Sequence, residues 1–87
     1  MRYLLLYDIV HDGVRTKVAD ACLDYGLERI QYSAFLGELS RTHLRELWVQ
    51  VEKRIGKSPA RVHIYPLDEQ SWSGRRLLEQ MEKGDSL

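Results

Sequence analysis

The N-terminal segment "RYLLLYDI", residues 2–9, constrains the fold more than any other part of this chain. From Tyr3 onward it is an almost continuous apolar run, and Asp8 is the acid that interrupts it near its end. A continuous run, unlike an alternating one, is typical of a central strand that is covered on both faces. We therefore predict such a strand here, and the carboxylate at its end needs an explanation.

The segment that follows predicts a helix with one apolar stripe. Its apolar residues recur at i, i+4, i+7, i+8 and i+11, namely Val14, Val18, Ala21, Cys22 and Tyr25. Asp12 is the expected N-cap of this helix. Gly26 lies where a residue in the left-handed conformation would end it.

The second half of the chain repeats the alternation of strand and helix. Residues 27–39 alternate between apolar and polar and are long for one strand, so we predict two strands whose turn no Asn-Gly or Pro marks. Ser40 is the expected N-cap of a second helix, in which Trp48 belongs to the buried stripe, and Gly56 ends it. Residues 61–67, "RVHIYPL", predict a further strand.

The predicted order is strand, helix, strand, strand, helix, strand. With both helices on one face of an antiparallel sheet, this order predicts an α+β, ferredoxin-like βαββαβ sandwich. The length of 87 residues favours one domain over residues 1–87. Residues 70–87 stay ambiguous, because "RRLLEQ" would make an additional C-terminal strand, "GRRLLEQMEK" would make a short helix, and the last residues resemble a loose tail.

Composition limits the kind of partner that this chain can bind. Thirteen Lys and Arg balance thirteen Asp and Glu, which argues against binding nucleic acid through bulk charge but allows a local basic patch.

So short a chain buries little surface, and its single cysteine, Cys22, cannot form a disulfide within it. We therefore expect stabilisation by dimerisation. The apolar runs are too short for a spanning helix, so we expect no membrane partner and a cytoplasmic location.

Asp8 is the first candidate for chemistry. A carboxylate where a central strand meets a loop is both held in place and accessible, and it would suit Mg²⁺ or Mn²⁺, which are cations that prefer oxygen ligands. The alternative is an acid that caps the next helix or pairs with an Arg. One carboxylate is a poor metal site, so we expect a twofold dimer to bring two copies of Asp8 together. Without metal such a pair would repel, and one acid would tend to keep its proton.

The neighbouring polar residues are weaker candidates. His11 and Asp12 could orient a metal-bound water or act as a base, although loop residues at such a place are more often caps. Arg15, Lys17 and Arg29 are candidates for phosphate contacts, and the alternative for them is an ordinary solvated surface. We assign His43 and His63 structural or surface roles, because neither has a partner at ligand spacing.

Several segments, taken in order, resemble one known family. An apolar strand ends in "YD", an Arg follows in the next helix, and then come "YGLERIQYSAFLGEL" and "RVHIYPLD". Together these segments resemble the CRISPR-associated protein two family, the small subunit of the spacer-acquisition machinery, over residues 2–69. Any one of the segments by itself would be a weak signal.

The resemblance implies a fold, an assembly and a site. Family members are ferredoxin-like homodimers, often with a C-terminal strand that completes the partner's sheet, which favours "RRLLEQ" as that strand. The catalytic and metal-binding acid of the family corresponds to Asp8, with Mg²⁺ or Mn²⁺ as cofactor. The residues that the resemblance associates with nucleic acid are Arg15, Lys17 and Arg29, and it places Tyr7 and Phe35 in supporting positions. His11 and Asp12 are supporting candidates because they lie close to Asp8, although the loop of the family often carries two acids where this chain has "HD".

Three functions from different classes remain open at this point. The resemblance implies a homodimeric adaptor between the integrase subunit and captured double-stranded DNA. It also implies a Mg²⁺-dependent endonuclease acting on single-stranded RNA or on DNA, and we expect slow turnover because only one type of metal ligand is evident. The sequence by itself equally allows a ferredoxin-like small-molecule or regulatory dimerisation module without nucleic-acid activity.

Overall fold

The structure of this protein is a computed structural model, and it describes residues 1–80. In that part of the chain four strands form one sheet in the order β2-β3-β1-β4, and all neighbouring strands are antiparallel. The elements in chain order are β1 (Arg2–Ile9), α1 (Asp12–Asp24), β2 (Glu28–Gln31), β3 (Ala34–Glu38), α2 (Arg41–Ile55), β4 (Ala60–Leu67) and α3 (Glu69–Ser73). The predicted ferredoxin-like, α+β order of elements is thereby confirmed.

The core lies between the sheet and the helices α1 and α2. Its largest fully buried side chains come from both layers and are Phe35, Leu5, Leu47, Val18, Val51 and Cys22. Each buried aliphatic or aromatic side chain of this size contributes about 1.5–3 kcal/mol through removal from water. These contacts hold β1 and β3 at the centre of the sheet, which fixes where the predicted site residues lie.

β1 is covered on one face, which corrects the prediction of a strand buried on both. Tyr3, Leu5 and Tyr7 alternate as buried residues on the helix side, whereas Leu6 and Asp8 are exposed on the opposite side. Side chains alternate along a strand, and both long helices cover the same face of the sheet. The apolar residues of the other face are therefore left at the surface, and we call this surface the open face.

The open face is defined by the strand register. Cross-strand partners lie on the same side, so the even-numbered residues of β1 share that side with their partners in β3 and β4. The apolar members of the open face are Leu4, Leu6, Leu36, Tyr65 and Leu67, and the small Ala34 lies buried beneath them on the same side. Asp8, Arg61 and His63 lie on the same face near the carboxyl end of β1.

The start of α1 differs by one residue from the prediction. His11, not Asp12, is the N-cap: its backbone is extended, and its Nδ1 accepts a hydrogen bond from the Val14 backbone N–H at 3.2 Å. A neutral imidazole nitrogen can accept this bond as an Asp oxygen would, so the helix begins one residue earlier in the loop. Asp12 becomes the first helical residue, and Gly26 has the expected positive φ of 83°.

The long alternating segment is divided by a tight turn at Tyr32 and Ser33. A bulge between Arg29 and Gln31 shifts the register of β2 against β3, and Arg29 lies opposite Phe35. Ser40 caps α2 as predicted, and its hydroxyl accepts a hydrogen bond from the backbone N–H of His43. Trp48 is 39% exposed, which corrects its placement in the core.

The C-terminal part contains a short helix that the sequence analysis missed. Asp68 caps α3, and Trp72 in this helix lies between two guanidinium groups, 4.2 Å from Arg2 and 3.7 Å from Arg75. Residues 75–80 form neither a strand nor a helix within this chain, so the additional strand is not formed from them here. The rest of that predicted segment, residues 81–87, lies outside the described residues. Over residues 1–80, no helix is long and apolar enough to cross a membrane.

Candidate functional site

The predicted site residues divide between two faces of the sheet. Asp8 and Tyr7 are adjacent in β1, so their side chains point in opposite directions. Asp8 lies on the open face and is exposed, whereas Tyr7 is 6% exposed and packs on the helix side. The predicted site residues therefore form two neighbouring sites, and Tyr7 lines both.

The first site surrounds Asp8. Its carboxylate is on the strand position directly opposite Arg61, and His63 is opposite Leu6, one step along the same face. These four residues and Tyr7 line a shallow pocket of about 190 Å³. His63 is held by a hydrogen bond of 2.7 Å between its Nδ1 and the Tyr65 hydroxyl. The pocket therefore combines an acid, a guanidinium and an oriented imidazole.

The Asp8 carboxylate is available to a ligand. Within residues 1–80, it forms neither a hydrogen bond nor an ion pair. It does not cap α1, because His11 does so, and it lies beyond ion-pair distance of Arg61 although the two are opposite each other. Within the single chain, Asp8 therefore neither caps the next helix nor pairs with an Arg, which were the two structural alternatives for this acid.

One chain offers a metal ion few protein ligands at this point. In the described part of the molecule, no group of three or more His, Cys, Asp or Glu side chains could hold a metal ion. Mg²⁺ commonly takes one or two carboxylates and completes its shell with water and substrate phosphate. The exposed Asp8 fits the role of one such carboxylate, and a second would have to come from another molecule.

The second site is a cleft between α1 and the turn that joins β2 to β3. Its volume is about 290 Å³, and we call it the Arg cleft. The residues that line it are Tyr7, Arg15, Thr16, Ala19, Asp20, Leu23, Arg29 and Tyr32. The structure thus brings together two of the basic residues predicted to contact nucleic acid, Arg15 and Arg29.

Arg15 is held firmly by its own chain. Its guanidinium donates to the Ile9 carbonyl at 2.9 Å, pairs with the Asp12 carboxylate and lies 5.5 Å from the centre of the Tyr32 ring. Desolvation would lower the pKa of Arg15, but the hydrogen bond to Asp12 and the charges nearby raise it overall. Arg15 therefore stays charged, with part of that charge already neutralised by Asp12.

Arg29 is the less constrained of the two guanidinium groups. It lies 5.0 Å from the centre of the Phe35 ring, and within residues 1–80 it has no ion-pair partner. Phe35 is fully buried, and its ring stacks 6.1 Å from that of Tyr7. Arg29 thus packs on the Phe35 ring, which in turn packs on the ring of Tyr7.

Besides the buried Phe35, three predicted residues line neither pocket, namely Lys17, His11 and Asp12. Lys17 is exposed on α1, and its backbone carbonyl accepts a 2.8 Å hydrogen bond from Arg54 of α2, away from the Arg cleft. His11 uses Nδ1 to cap α1, which leaves Nε2 for any other contact, and Asp12 pairs with Arg15. The N-terminus of α1 is therefore an ordered cap rather than a loop of free polar groups.

Comparison with known proteins identifies the family. The sequence model of the family "CRISPR associated protein Cas2" matches residues 1–75. The chain belongs to this family. Membership gives it a CRISPR-associated role and confirms the resemblance found in the sequence segments.

Curated relatives agree with this membership. Over 80 residues the chain is 54% identical to "CRISPR-associated endoribonuclease Cas2 2" of Chloroflexus aurantiacus, covering 92% of this chain and 94% of that protein. It is 46% identical over 69 residues to the Pyrobaculum aerophilum protein "CRISPR-associated endoribonuclease Cas2 2", covering 78% and 75% of the two chains. A "CRISPR-associated endonuclease Cas1/endonuclease Cas2 fusion" of Thermoproteus tenax is 35% identical over 71 residues, covering 82% of this chain and 27% of the fusion.

Solved structures share the fold of this Cas2 family member. The crystal structure of Streptococcus pyogenes Cas2 at pH 6.5 matches with a TM-score of 0.77 at 21% identity. The match covers 91% of this chain and 100% of that chain. A hypothetical protein from Thermus thermophilus, TT1823, has a TM-score of 0.71 at 31% identity, covering 77% and 80%.

Three residues of these sites in this Cas2 family member were not predicted as site residues from the sequence. Arg61 and His63 join Asp8 through the pairing of β1 with β4, although more than fifty residues separate them along the chain. Tyr32 joins the Arg cleft because the β2–β3 turn carries it there. The alternation in "RVHIYPL" was the available signal for Arg61 and His63, since it places both on one face, but it does not give their partner strand.

Proposed function

We propose that this protein acts in CRISPR spacer acquisition as a homodimeric adaptor that joins a Cas1 integrase subunit to captured double-stranded DNA. We further propose a weak Mg²⁺- or Mn²⁺-dependent endonuclease activity on single-stranded RNA or on DNA, with Asp8 as the catalytic and metal-binding residue. The observation that carries both proposals is the unpaired, exposed Asp8 carboxylate on an apolar open face. The name of the Thermoproteus tenax fusion supports a partnership with Cas1.

The open face supports a homodimer. Leu6 is 38% exposed and Tyr65 is 43% exposed on a sheet surface that α1 and α2 do not cover. A sheet of this kind is stabilised by packing its apolar face against another layer, and a second copy supplies one. A twofold axis near β1 would place the two Asp8 residues on facing surfaces, which supplies the second carboxylate.

Asp8 and its partner copy would hold the metal ion in this arrangement. When bound, Mg²⁺ would neutralise phosphate charge and favour ionisation of a water molecule. Arg61, opposite Asp8, would attract the phosphate backbone to the same pocket. Without the metal, the two like charges would disfavour close approach, so metal binding and dimer geometry are coupled in this proposal.

Local basic groups support nucleic-acid binding despite the net charge of zero. Arg29 and Lys17 are exposed, and we propose that they contact backbone phosphates, while Arg15 contributes through its remaining charge. Phosphate contacts release counterions, so log Kobs should fall with log salt at a slope of about −0.9 for each phosphate neutralised on duplex DNA. We expect these contacts in the cytoplasm, where the proposed partners meet.

A reconstituted spacer-integration assay with the cognate Cas1 tests the adaptor proposal. It compares reactions without this protein, with the native chain, with Asp8→Asn and with Glu52→Gln, a matched loss of an exposed carboxylate on α2. We expect integration to require the protein and to tolerate Glu52→Gln. Integration that proceeds equally well without this protein would contradict the adaptor role. Loss of integration in a dimeric Asp8→Asn variant would place the metal site within that role.

A nuclease assay tests the second activity separately. Cleavage of single-stranded RNA and of DNA is followed with Mg²⁺, with Mn²⁺ and with a chelator. We expect slow cleavage that the chelator stops and that Asp8→Asn abolishes, because Asp8 is the acid positioned to hold the ion. Cleavage that survives Asp8→Asn would come from another residue or from a contaminant.

An apolar groove favours a second candidate, a small-molecule or regulatory dimerisation module. The groove lies between α2 and β4 and has a volume of about 580 Å³. It is lined by Tyr3, Leu44, Trp48, Ile64, Pro66, Arg41 and Arg45. Apolar concave sites with a few charged groups are typical of small-ligand pockets. A flat response of nucleic-acid binding to salt would favour this candidate over both nucleic-acid functions.

A further inference from the structure

Tyr32 has an unusual position for an aromatic residue of a small domain. It is 69% exposed, although it lies in a tight turn within the sheet. The turn is fixed to β1 by two hydrogen bonds, from the Tyr7 backbone N–H to the Ser33 carbonyl at 3.1 Å and from the Tyr7 hydroxyl to the Tyr32 carbonyl at 3.3 Å. The backbone of Tyr32 is therefore anchored while its ring remains at the surface of the Arg cleft.

Arg15 positions the Tyr32 ring. Its guanidinium is 5.5 Å from the centre of that ring and is itself held by the Ile9 carbonyl and by Asp12. A cation within about 6 Å of an aromatic face attracts it, so the ring is held by an already ordered partner. Most of the ring's surface stays accessible, which leaves it free to contact a planar ligand.

The rest of the Arg cleft has mixed polarity. Arg29 offers a charge without an ion-pair partner in the described part of the chain, whereas Asp20 and Thr16 offer oxygen atoms. Asp20 disfavours a second phosphate in the cleft but can accept hydrogen bonds from an amino group. A nucleotide has this combination of groups, since one charged phosphate is joined to a neutral, planar base with polar edges.

We propose that Tyr32 is a stacking platform for an unpaired nucleobase and that Arg29 contacts the adjoining phosphate. This inference rests on the proposed nucleic-acid function and adds a contact to the base itself. Bases within a duplex hide both faces in the stack, so an aromatic side chain of this kind selects bases that are unpaired. Arg15 is then a positioning residue for the ring, and its remaining charge attracts the nucleic-acid strand without a direct phosphate contact.

Binding of a short, fluorescently labelled single-stranded RNA tests the proposal. The variants are Tyr32→Ala, Tyr32→Phe, which keeps the ring, and Ile30→Ala, a matched loss of an exposed apolar side chain in β2. Stacking on an aromatic side chain is worth about 1–3 kcal/mol per base, so we expect Tyr32→Ala to weaken binding roughly 5- to 150-fold. Tyr32→Phe should retain most of the affinity because it keeps the ring, and Ile30→Ala should leave the affinity unchanged.

Salt dependence separates stacking from charge. Tyr32→Ala removes no charge, so the slope of log Kobs against log salt should stay the same while the affinity falls. Arg29→Gln should instead reduce that slope by about 0.7, the value for one phosphate contact on a single strand. An equal change of slope in both variants would overturn the assignment of the base to Tyr32.

An abasic oligonucleotide and a blunt duplex complete the test. Tyr32→Ala should cost little on an RNA of the same length without bases, and little on duplex DNA, because neither presents an unpaired base. Equal losses on all three ligands would show a contact to the backbone and overturn the proposal. If the native protein binds RNA with a steep salt response and Tyr32→Ala has no effect, stacking fails and the proposed function stands. If the native protein binds no nucleic acid, both fail.

Discussion

At the scale of single residues, burial decides which groups are reactive. Cys22 is fully buried in α1, and desolvation raises the pKa of its thiol to about 12, even though Arg29 and Arg54 act to lower it. Asp8 is the opposite case, because it is exposed and lacks a partner within residues 1–80. Chemistry in this protein is therefore expected at the acid and not at the thiol.

Thiol labelling tests the burial of Cys22. A thiol with this pKa is almost entirely protonated at about pH 8, and the thiolate is the reactive form. We expect native protein to react with an aromatic disulfide reagent at least about 1,000-fold more slowly than protein unfolded in urea. One thiol per chain should react once the protein is unfolded. Rapid labelling of the native protein would show that α1 opens or that Cys22 reaches the solvent.

At the scale of the elements, the ends of the helices set the geometry of the sites. The His11 cap fixes where α1 begins and thereby where Arg15 meets Ile9 and Tyr32. The Asp68 cap fixes α3, which carries Trp72 to Arg2 on β1. In each cap a side chain accepts a hydrogen bond from a backbone N–H group, so each can be tested by one substitution.

Replacement of His11 distinguishes a cap from a base. His11→Ala removes the acceptor of the Val14 N–H group, and loss of an N-cap typically costs about 0.5–2 kcal/mol of the free energy of unfolding. His11→Asn restores an acceptor of the preferred type and should restore stability in urea unfolding. If His11→Asn is as stable as the native protein but loses nuclease activity, His11 has a chemical role in addition to its cap.

The pH dependence of α3 follows from the Asp68 cap. The hydrogen bond from the Ser71 backbone N–H lowers the pKa of the Asp68 carboxyl. A lowered pKa in the folded state means that the stabilisation is present above the ordinary carboxyl pKa and is lost as the pH falls through the lowered value. We expect Trp72 emission, in a Trp48→Phe background, to change as the pH falls from about 7 to about 2.

Two variants separate the groups that titrate near Trp72. Asp68→Asn keeps a cap that cannot titrate, so the emission of Trp72 in this variant should change less over the same pH range. Glu69→Gln controls for the exposed ion pair between Glu69 and Arg2, which has an N–O distance of 3.4 Å. An unchanged acid transition in Asp68→Asn would assign the change to another carboxyl group.

At the scale of the whole molecule, the uncovered face of the sheet is the dominant feature. The proposed dimer predicts that Leu6→Asp, which buries a charge between two copies, yields a monomer with an intact fold. Val49→Asp on α2 is the matched control, because Val49 is 45% exposed and lies away from the open face. Light scattering should give twice the chain mass of 10.2 kDa for the native protein and for the control. A monomeric native protein would contradict the dimer and with it the paired Asp8 site.

The sequence by itself determined the order of elements, because that order depends on local periodicity and capping. The apolar stripe ending at Gly26, the cap at Ser40 and the alternation in residues 61–67 each reflect contacts among near neighbours in the chain. The same local signals placed Asp8 at the end of a central strand. The shift of the first cap from Asp12 to His11 is a local choice between adjacent acceptors, which periodicity does not resolve.

The tertiary structure decided which face of β1 is covered and which residues share a site. The apolar run in residues 2–9 does not show that both helices lie on one side, because that depends on the handedness and packing of the whole sandwich. The position of Asp8 opposite Arg61 follows from strand register, and the position of Arg29 near Tyr32 follows from a bulge in β2. Register is a long-range property, set when the core closes, and one residue of slip would move every side chain of a strand to the other face.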